Sequence, residues 1–383
     1  MAVSCPDISR DASTISSRLS DAFGPVEDWA EANRMSIAPE KYSVTLFTPW
    51  SSQVSAGPSI QVRGSPVPTE RKPKILGVTF DPMFTFTPHI TDIAARASSR
   101  LQVLKALAGT SWGQDKETIL LTYKAIIKPI LTYAAPIWFP ATCRSNIGKL
   151  QRIQNQALRI ATGSLLKSDI QHLHSETSIL PLSDHLGVLC AQFLAGALRP
   201  AHPSHALVTQ DPGPRSRIPL LQTTFRSAVT GYLGDGGVAD PDVHRSTISG
   251  IHTAAVAAHL ANRDRNKVLL RQAPSISLAE SALPRYYRTT LSQLRSGQCS
   301  RLNSYRHAIG IADTDQCPGC GAAPDTVHHL FSCPAAPTDL SVEDLCSRPV
   351  EVAQYIAALP AFESLPTLEV REPPPPPEPP PGV

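Results

Sequence analysis

Apolar positions along this 383-residue chain change their period more than once. TISSRLSDAFGPVEDWAEANR, 14–34, places Leu19, Phe23, Val26, Trp29 and Ala30 at helical spacing. Gly24-Pro25 predicts a kink or a break in that helix, because proline removes a backbone donor. SIAPEKYSVTLFTP then reads as a turn at Pro39 and a strand built on Val44, Leu46 and Phe47. Residues 50–70 are rich in Ser, Pro and Gly and predict a loop. KILGVTFD, 74–81, reads as a second strand, with Gly77 inside it where another backbone can come close.

From Pro88 the period becomes helical again. ITDIAARASSRLQVLKALAG aligns Ile90, Ile93, Ala94, Ala97, Leu101, Leu104 and Leu107 on one face, with Gly109 as the stop. DKETILLTYKAIIKPILTYAAPIW opens on acidic residues, which suit a helix N-terminus, and Pro129 predicts a kink. SNIGKLQRIQNQALRIATG has Ser145 as candidate cap, an apolar stripe from Ile147 to Ala161, and Gly163 as its end. A weaker helix is expected over 183–198, and others over 250–263, 285–296 and 301–308; residues 200–245 read as irregular. EPPPPPEPPPGV predicts an extended, solvated polyproline tail; the two readings of it are a read-through or out-of-frame extension, which is favoured, and a ligand for SH3 or WW modules. The expected fold is mostly α with a small α/β remnant.

Composition modifies this picture in two ways. A hydrophobic fraction of 42% supports a real core, and 37 prolines interrupt the elements around it. No window approaches 18 uncharged apolar residues, so no membrane span is expected. The N-terminus lacks a secretory pattern, so the expected location is intracellular, nucleus or cytoplasm, with reduced thiols. Charge is uneven. Arg96 to Lys167 holds eleven lysines and arginines against Asp115 and Glu117, a block of +9 in a chain of net +3, leaving about −6 elsewhere. Such a block fits a polyanion partner; a solvated helical surface is the plainer alternative.

The chemistry concentrates in CPGCGAAPDTVHHLFSC, 317–333. Cys317 and Cys320 form a close pair, and Cys333 follows His328 by five positions and His329 by four. Either histidine completes a set of three thiolates and one imidazole. That set leaves no open coordination position, so the expected metal is a structural Zn²⁺. Cys5, Cys143, Cys190 and Cys299 are scattered and read as free thiols.

Several stretches, in this order, resemble the reverse transcriptases of non-LTR, jockey-like retrotransposons. They are PDIS, VEDWAEANRMSIAPEKYSVTLF, KILGVTFDPMFTFTPHI, LKALAGTSWGQDKETILLTYKAIIKPILTYAAPIW, LQRIQNQALRIATG with HSETSILPL, LRSGQCSRLNSYRHAIGIADTDQCPGCG, and HHLFSCPAAPTDLSVEDL. The resemblance covers roughly 6–198 and 285–357. It implies the end of a polymerase palm over 1–84, a helical thumb over 85–198, a connector over 199–284, a zinc-knuckle segment over 285–357 and a disordered tail from 358. It also aligns the histidine ligand on His329, and Cys346 with a tryptophan of relatives.

In that family a Tyr-Ala-Asp-Asp turn holds the catalytic Mg²⁺ just before PDIS. No Asp-Asp pair occurs in these 383 residues, and two-metal nucleotidyl transfer needs such carboxylates. Asp7, Asp11, Asp21 and Asp28 fall on the following turn and helix. The expectation is therefore a polymerase fragment that is inactive alone, with Mg²⁺ bound only in a full-length relative. The alternatives are a stand-alone nucleic-acid-binding protein derived from such an element, or a relic. No catalytic residue is expected beyond a vestigial Lys41, which aligns with a lysine near the incoming nucleotide. The implied partners are RNA and DNA. Gly77 aligns with the primer grip; Lys149, Arg152 and Arg159, three and seven residues apart, can share one helix face toward a duplex; and Arg301 and Arg306 stand just upstream of the knuckle as candidate phosphate contacts.

Overall fold

A computed structural model of the chain describes residues 12–38, 41–48, 50–54, 59–62, 65–109, 112–209, 241–261, 266–272 and 274–370. The turn at Pro39, the PDIS motif, most of the irregular stretch 200–245 and the polyproline tail lie outside the described residues. The described residues are mostly helical, with two small antiparallel sheets.

The N-terminal elements correct four expectations, one of them the loop over 50–70, which carries paired strands at Gln61–Val62 and Ser65–Pro66. Helix α1, Ala12–Ala32, runs through Gly24-Pro25 without a break. Proline removes one backbone hydrogen bond from that helix, and the turns on either side carry it across. The strand expected at 44–47 is a single bridge, Val44 to Thr69. It cannot lengthen, because Pro68 has no amide to donate and the carbonyl of Glu70 is taken by the Thr45 hydroxyl at 2.7 Å. KILGVTFD is two strands rather than one. Strands β1, Gln61–Val62, and β2, Ser65–Pro66, form the first sheet; β3, Lys74–Ile75, and β4, Val78–Thr79, form the second. Leu76 and Gly77 turn between β3 and β4 with φ of 47° and 85°. Two left-handed residues match the right-handed twist of a two-residue hairpin, so Gly77 serves the turn.

A helical bundle follows, led by α2, Thr87–Leu107. Its partners are α3, Lys116–Ile126; α4, Lys128–Thr132; α5, Ala135–Trp138; and α6, Arg144–Thr162. The predicted stripe of α2 is buried at Ile90, Ile93, Ala97, Leu101 and Leu104. It packs with Tyr123, Leu131, Trp138, Leu150 and Leu158 in one apolar core. The kink at Pro129 is a full break at Ile127, since Pro129 offers no amide to continue the ladder. Cys143, not Ser145, occupies the cap position of α6, which starts one residue before Ser145; Gly163 ends it at φ 68°.

Helix α7, Ile170–Thr177, was not predicted; Asp169 caps it by accepting from the Gln171 amide at 3.0 Å. Helix α8, Leu182–Ala197, leads to α9, His205–Thr209. Helix α10, Pro241–Ala261, sits on α8 through Ile251, which meets Val188, Ala191, Leu194 and Ala195. The C-terminal part holds α11, Arg285–Arg295; α12, Asn303–Ala308; α13, Val327–Leu330; α14, Asp344–Ser347; and α15, Pro349–Ala357. Leu291, Leu294, Leu330, Leu345, Val352, Ile356 and Phe362 form its core. Among the described residues no single helix is long and apolar enough to cross a membrane.

Candidate metal centre and the buried arginine helix beside it

The stretch 317–333 folds into a clasp. Gly321 takes φ 65°, which lets its amide reach back to the Cys317 carbonyl at 2.8 Å and close the turn between the first two cysteines. The Cys317 amide donates to the Ala323 carbonyl at 2.9 Å, and Gln316 bridges Pro324. Thr326 then caps α13, its hydroxyl accepting from the His329 amide at 3.2 Å. The ligand atoms of Cys317, Cys320, His329 and Cys333 all lie within 4.8 Å of one another. Cys317 Sγ is 3.8 Å from Cys333 Sγ, and Cys320 Sγ is 3.2 Å from His329 Nε2. His328 lies on the exposed side of the same helix.

The environment of the clasp suits thiolates unequally. The backbone amide of Ala322, with His329 also hydrogen-bonded to it, holds the Cys320 thiol down at about 7. Burial instead pushes the Cys317 thiol up. The clasp is tied to the rest of the C-terminal part at several points. Asp325, buried, accepts from the Asn303 amide at 2.7 Å; Tyr355 donates its hydroxyl to the carbonyls of Leu330 and Ala336 at 2.8 and 3.0 Å.

Beside this centre lies α11, RYYRTTLSQLR, buried along nearly its whole length despite its polarity. Three arginines on it do different work. Arg285 donates to four carbonyls: Gly109 at 2.9 Å, Gln114 at 2.9 Å, Ile160 at 2.6 Å and Ala161 at 3.2 Å. Ile160 and Ala161 end α6, so the guanidinium satisfies orphan carbonyls at the negative end of that helix. Arg288 pairs with Glu117 at 2.5 Å and lies 3.9 Å from Glu280. Arg295 joins Glu176 at 2.5 Å and Glu280, and donates to the Leu345 carbonyl at 3.1 Å. Lys116 closes the cluster, 3.6 Å from Glu176 and 3.4 Å from Glu280.

Burial alone would raise the Glu176 carboxyl, but Arg295 and Lys116 overcome it and hold it at about 2. Burial lowers the Lys116 ammonium and the neighbouring His172 imidazole, whose Nε2 lies 3.3 Å from the Ser292 hydroxyl. The helix also presses on the end of α6. A Cβ on Gly163 would stand 2.4 Å from Thr289 Cγ2, and Gln293 donates to the Gly163 carbonyl at 2.9 Å. Gly163 is thus required twice, for its φ and for this close approach.

The remaining sequence-predicted residues are dispersed. Lys41 is exposed on a short turn, its amide donating to Ala38. Gly77 faces the Tyr133 ring, 3.3 Å from where a Cβ would stand. Lys149 and Arg152 are exposed on α6, touching Asn146 and the Gly148 carbonyl. Arg159 is half-buried and turned toward the Ser168 carbonyl at 3.5 Å. Arg301 donates to Ser364 at 2.5 Å and lies over the Phe362 ring, whereas Arg306 is exposed on α12. The basic block is therefore not all surface: Lys116 is neutralised inside by Glu176 and Glu280, which lie outside the block.

Comparison with known proteins bears on this arrangement. The chain is 27% identical over 195 residues to the probable RNA-directed DNA polymerase from transposon X-element of Drosophila melanogaster, 48% of this chain and 21% of the relative. It is 28% identical over 134 residues to the probable RNA-directed DNA polymerase from transposon BS of the same fly, 35% and 15%. With the RNA-directed DNA polymerase from mobile element jockey it shares 23% over 174 residues, 45% and 18%. The chain is similar to non-LTR retrotransposon polymerases. It spans about a fifth or less of the length of these relatives. No family model and no solved structure matches it.

The helix itself was expected over 285–296, but sequence reasoning passed over the burial of its arginines and their acidic partners. Two signals were available. Arg288 and Arg295 are seven residues apart, on one helix face, and Glu176 lies inside the quoted HSETSILPL. Nothing in the linear order joins 116, 176, 280 and 295.

Proposed function

We propose that this chain holds nucleic acid for a non-LTR retrotransposon polymerase: template–primer duplex on its helical bundle and single-stranded RNA on its zinc-held C-terminal part. In this reading 1–84 is the end of a palm, 85–198 a thumb, 199–284 a connector and 285–357 the knuckle segment. The observation that carries it is the similarity to several RNA-directed DNA polymerases over nearly half of the chain. The 383 residues contain no Asp-Asp pair, so the proposal assigns them binding and not phosphoryl transfer.

Zinc is the metal that the clasp fits. Tetrahedral zinc with Zn–S near 2.3 Å implies ligand separations of about 3.5–3.8 Å. The 3.8 Å between Cys317 and Cys333 sulfurs matches that, and the 3.2 Å between Cys320 and His329 is a few tenths of an ångström shorter. A bound ion would supply charge and cross-linking. Cys317 and Cys320 would hold it from the turn, and His329 and Cys333 from α13 and its exit, tying the clasp to the core at Val327 and Leu330. Exposed Lys149, Arg152 and Arg306 would meet phosphates.

The test is the zinc-loaded full chain titrated with an RNA–DNA hybrid and with single-stranded RNA over a range of salt. Six to ten phosphate contacts make affinity fall roughly 10³–10⁵-fold between 50 and 200 mM salt. Affinity that is absent, or indifferent to salt, would sink the proposal.

A further inference from the structure

A second feature lies where the first helix of the bundle begins. Phe47 and Phe84 stack with ring centroids 4.6 Å apart and planes 28° apart. Phe80 meets both edge-on, at 6.3 and 6.1 Å, and Phe86 lies behind Phe80 at 5.5 Å. Phe86 is buried and explained by the core, but Phe47 and Phe84 are each 38% exposed, and Trp50 nearby is 53% exposed. More than a third of each of these residues stays in water, apolar surface that folding leaves uncovered.

Phe84 is also held against its backbone preference. Its φ is 52° and that of Phe86 is 54°, a conformation that is an outlier for bulky residues. Asp81 enforces it. Its carboxylate accepts from the Phe86 amide at 2.6 Å, the Thr85 amide at 3.1 Å and the Thr85 hydroxyl at 3.0 Å. The Asp81 carbonyl accepts from the Phe84 amide at 2.9 Å. Phe47 is brought over Phe84 because the Thr48 amide donates to the Pro82 carbonyl at 2.9 Å. Backbone strain fixed this firmly marks ligand clamps and active sites more than scaffolds.

Three cations stand on the segment that Phe80 is bonded to. Arg71, Lys72 and Lys74 are exposed, and the Pro73 carbonyl between them accepts from the Phe80 amide at 2.9 Å. Among the described residues none of the three forms an ion pair, while the adjacent Glu70 carboxylate accepts from the Ser43 hydroxyl at 3.1 Å. Flat rings and unneutralised cations are what an unpaired base and its phosphate require; bases inside a duplex have no free face to offer.

We propose that Phe47 and Phe84, with Arg71, Lys72 and Lys74 on that segment, form a platform that stacks an unpaired base of single-stranded nucleic acid. The inference rests on the nucleic-acid-binding reading above and adds to it a second single-strand site, outside the zinc-held part. Phe84→Leu keeps apolar contact but removes the π face. Phe84→Asn tolerates the left-handed backbone and guards against misfolding.

The experiment titrates the full chain and both variants, plus Phe47→Leu, with fluorescent oligo-dT and with a hybrid duplex. Each variant is expected to lose roughly 5- to 150-fold in oligo-dT affinity, with duplex affinity and Tm unchanged. 5-Iododeoxyuridine in the oligonucleotide is expected to photo-cross-link to Phe47 or Phe84. Wild-type affinity for oligo-dT that all three variants retain overturns the platform and leaves the binding reading intact. Duplex binding without oligo-dT binding does the same. A wild type that binds neither probe sinks the binding reading itself. Sedimentation that shows self-association, lost in Phe84→Leu with oligo-dT affinity retained, assigns the rings to a second copy and overturns the platform.

Discussion

The helical bundle and the C-terminal part are built on opposite principles. In the bundle, Ile90, Leu104, Leu131, Trp138, Leu150 and Leu158 are fully enclosed, and apolar contact holds the helices together. In the C-terminal part the central helix α11 buries Arg285, Arg288, Thr289, Thr290, Ser292, Gln293 and Arg295. That helix is kept inside because every charge meets a partner. The four-ligand clasp then gathers a stretch with few apolar residues of its own. A non-directional core tolerates drift in any one contact, whereas a charged and liganded one depends on each partner's position.

The largest break in this comparison is the metal. Strong chelation, or Cys320→Ser, is expected to unfold the clasp and loosen the C-terminal core while the bundle stays folded. Structural zinc contributes apparent energies on the order of 10 kcal/mol at neutral pH. Hydrogen exchange would read it: protection lost over 303–340 and kept over 87–162. Uniform protection loss in both regions would erase the distinction.

Next comes the arginine cluster. Arg295→Leu leaves Glu176 and Glu280 buried without their main partner and is expected to cost about 3–5 kcal/mol, measured by denaturant unfolding. Leu158→Ala in the bundle is expected to cost about 2–5 kcal/mol through its cavity. The two differ in what repairs them. A second change, Glu280→Gln, should recover part of the Arg295→Leu loss, and no charge change should recover Leu158→Ala.

Acid separates the two regions more gently. Glu176 is held below its ordinary 4.5, at about 2, so its contribution to stability is fully present above pH 4.5. It is lost as pH falls from about 4.5 to about 2, because the unfolded chain takes up the proton first. Glu176→Gln should flatten the stability profile in that window. An unchanged profile would remove Glu176 from the cluster's energetics.

The smallest expected effect is on the bundle surface. Lys149→Ala and Arg152→Ala should each change stability by less than about 0.5 kcal/mol. Each should lower the slope of binding against salt by about one phosphate contact. A stability loss well above that would mean these side chains hold structure instead.

The clasp was legible because its residues are close in sequence and their chemistry is restrictive. Cys317, Cys320, His329 and Cys333 span seventeen positions, and the spacing itself specified the set apart from the choice between His328 and His329. The helical stripes of α2 and α6 were legible because burial repeats every third or fourth residue. The hairpin at Leu76-Gly77 was read as one strand because VTF and KIL share strand-forming character, and only positive φ at two successive residues separates them. The failed strand at 44–47 was equally invisible: its own residues favour a strand, but in its partner segment Pro68 has no amide and the Glu70 carbonyl is taken by the Thr45 hydroxyl.

What the amino-acid sequence determined alone, then, is local: helical periods, the end of α6 at Gly163, and a ligand set packed into one short stretch. Tertiary structure alone decided which charges are inside. Lys116 belongs by sequence to a basic block, yet it lies between Glu176 and Glu280, 60 and 164 positions away. Charge is a property of a residue, but its solvation and partner are properties of the folded chain. Periodicity cannot report a contact made across such distances.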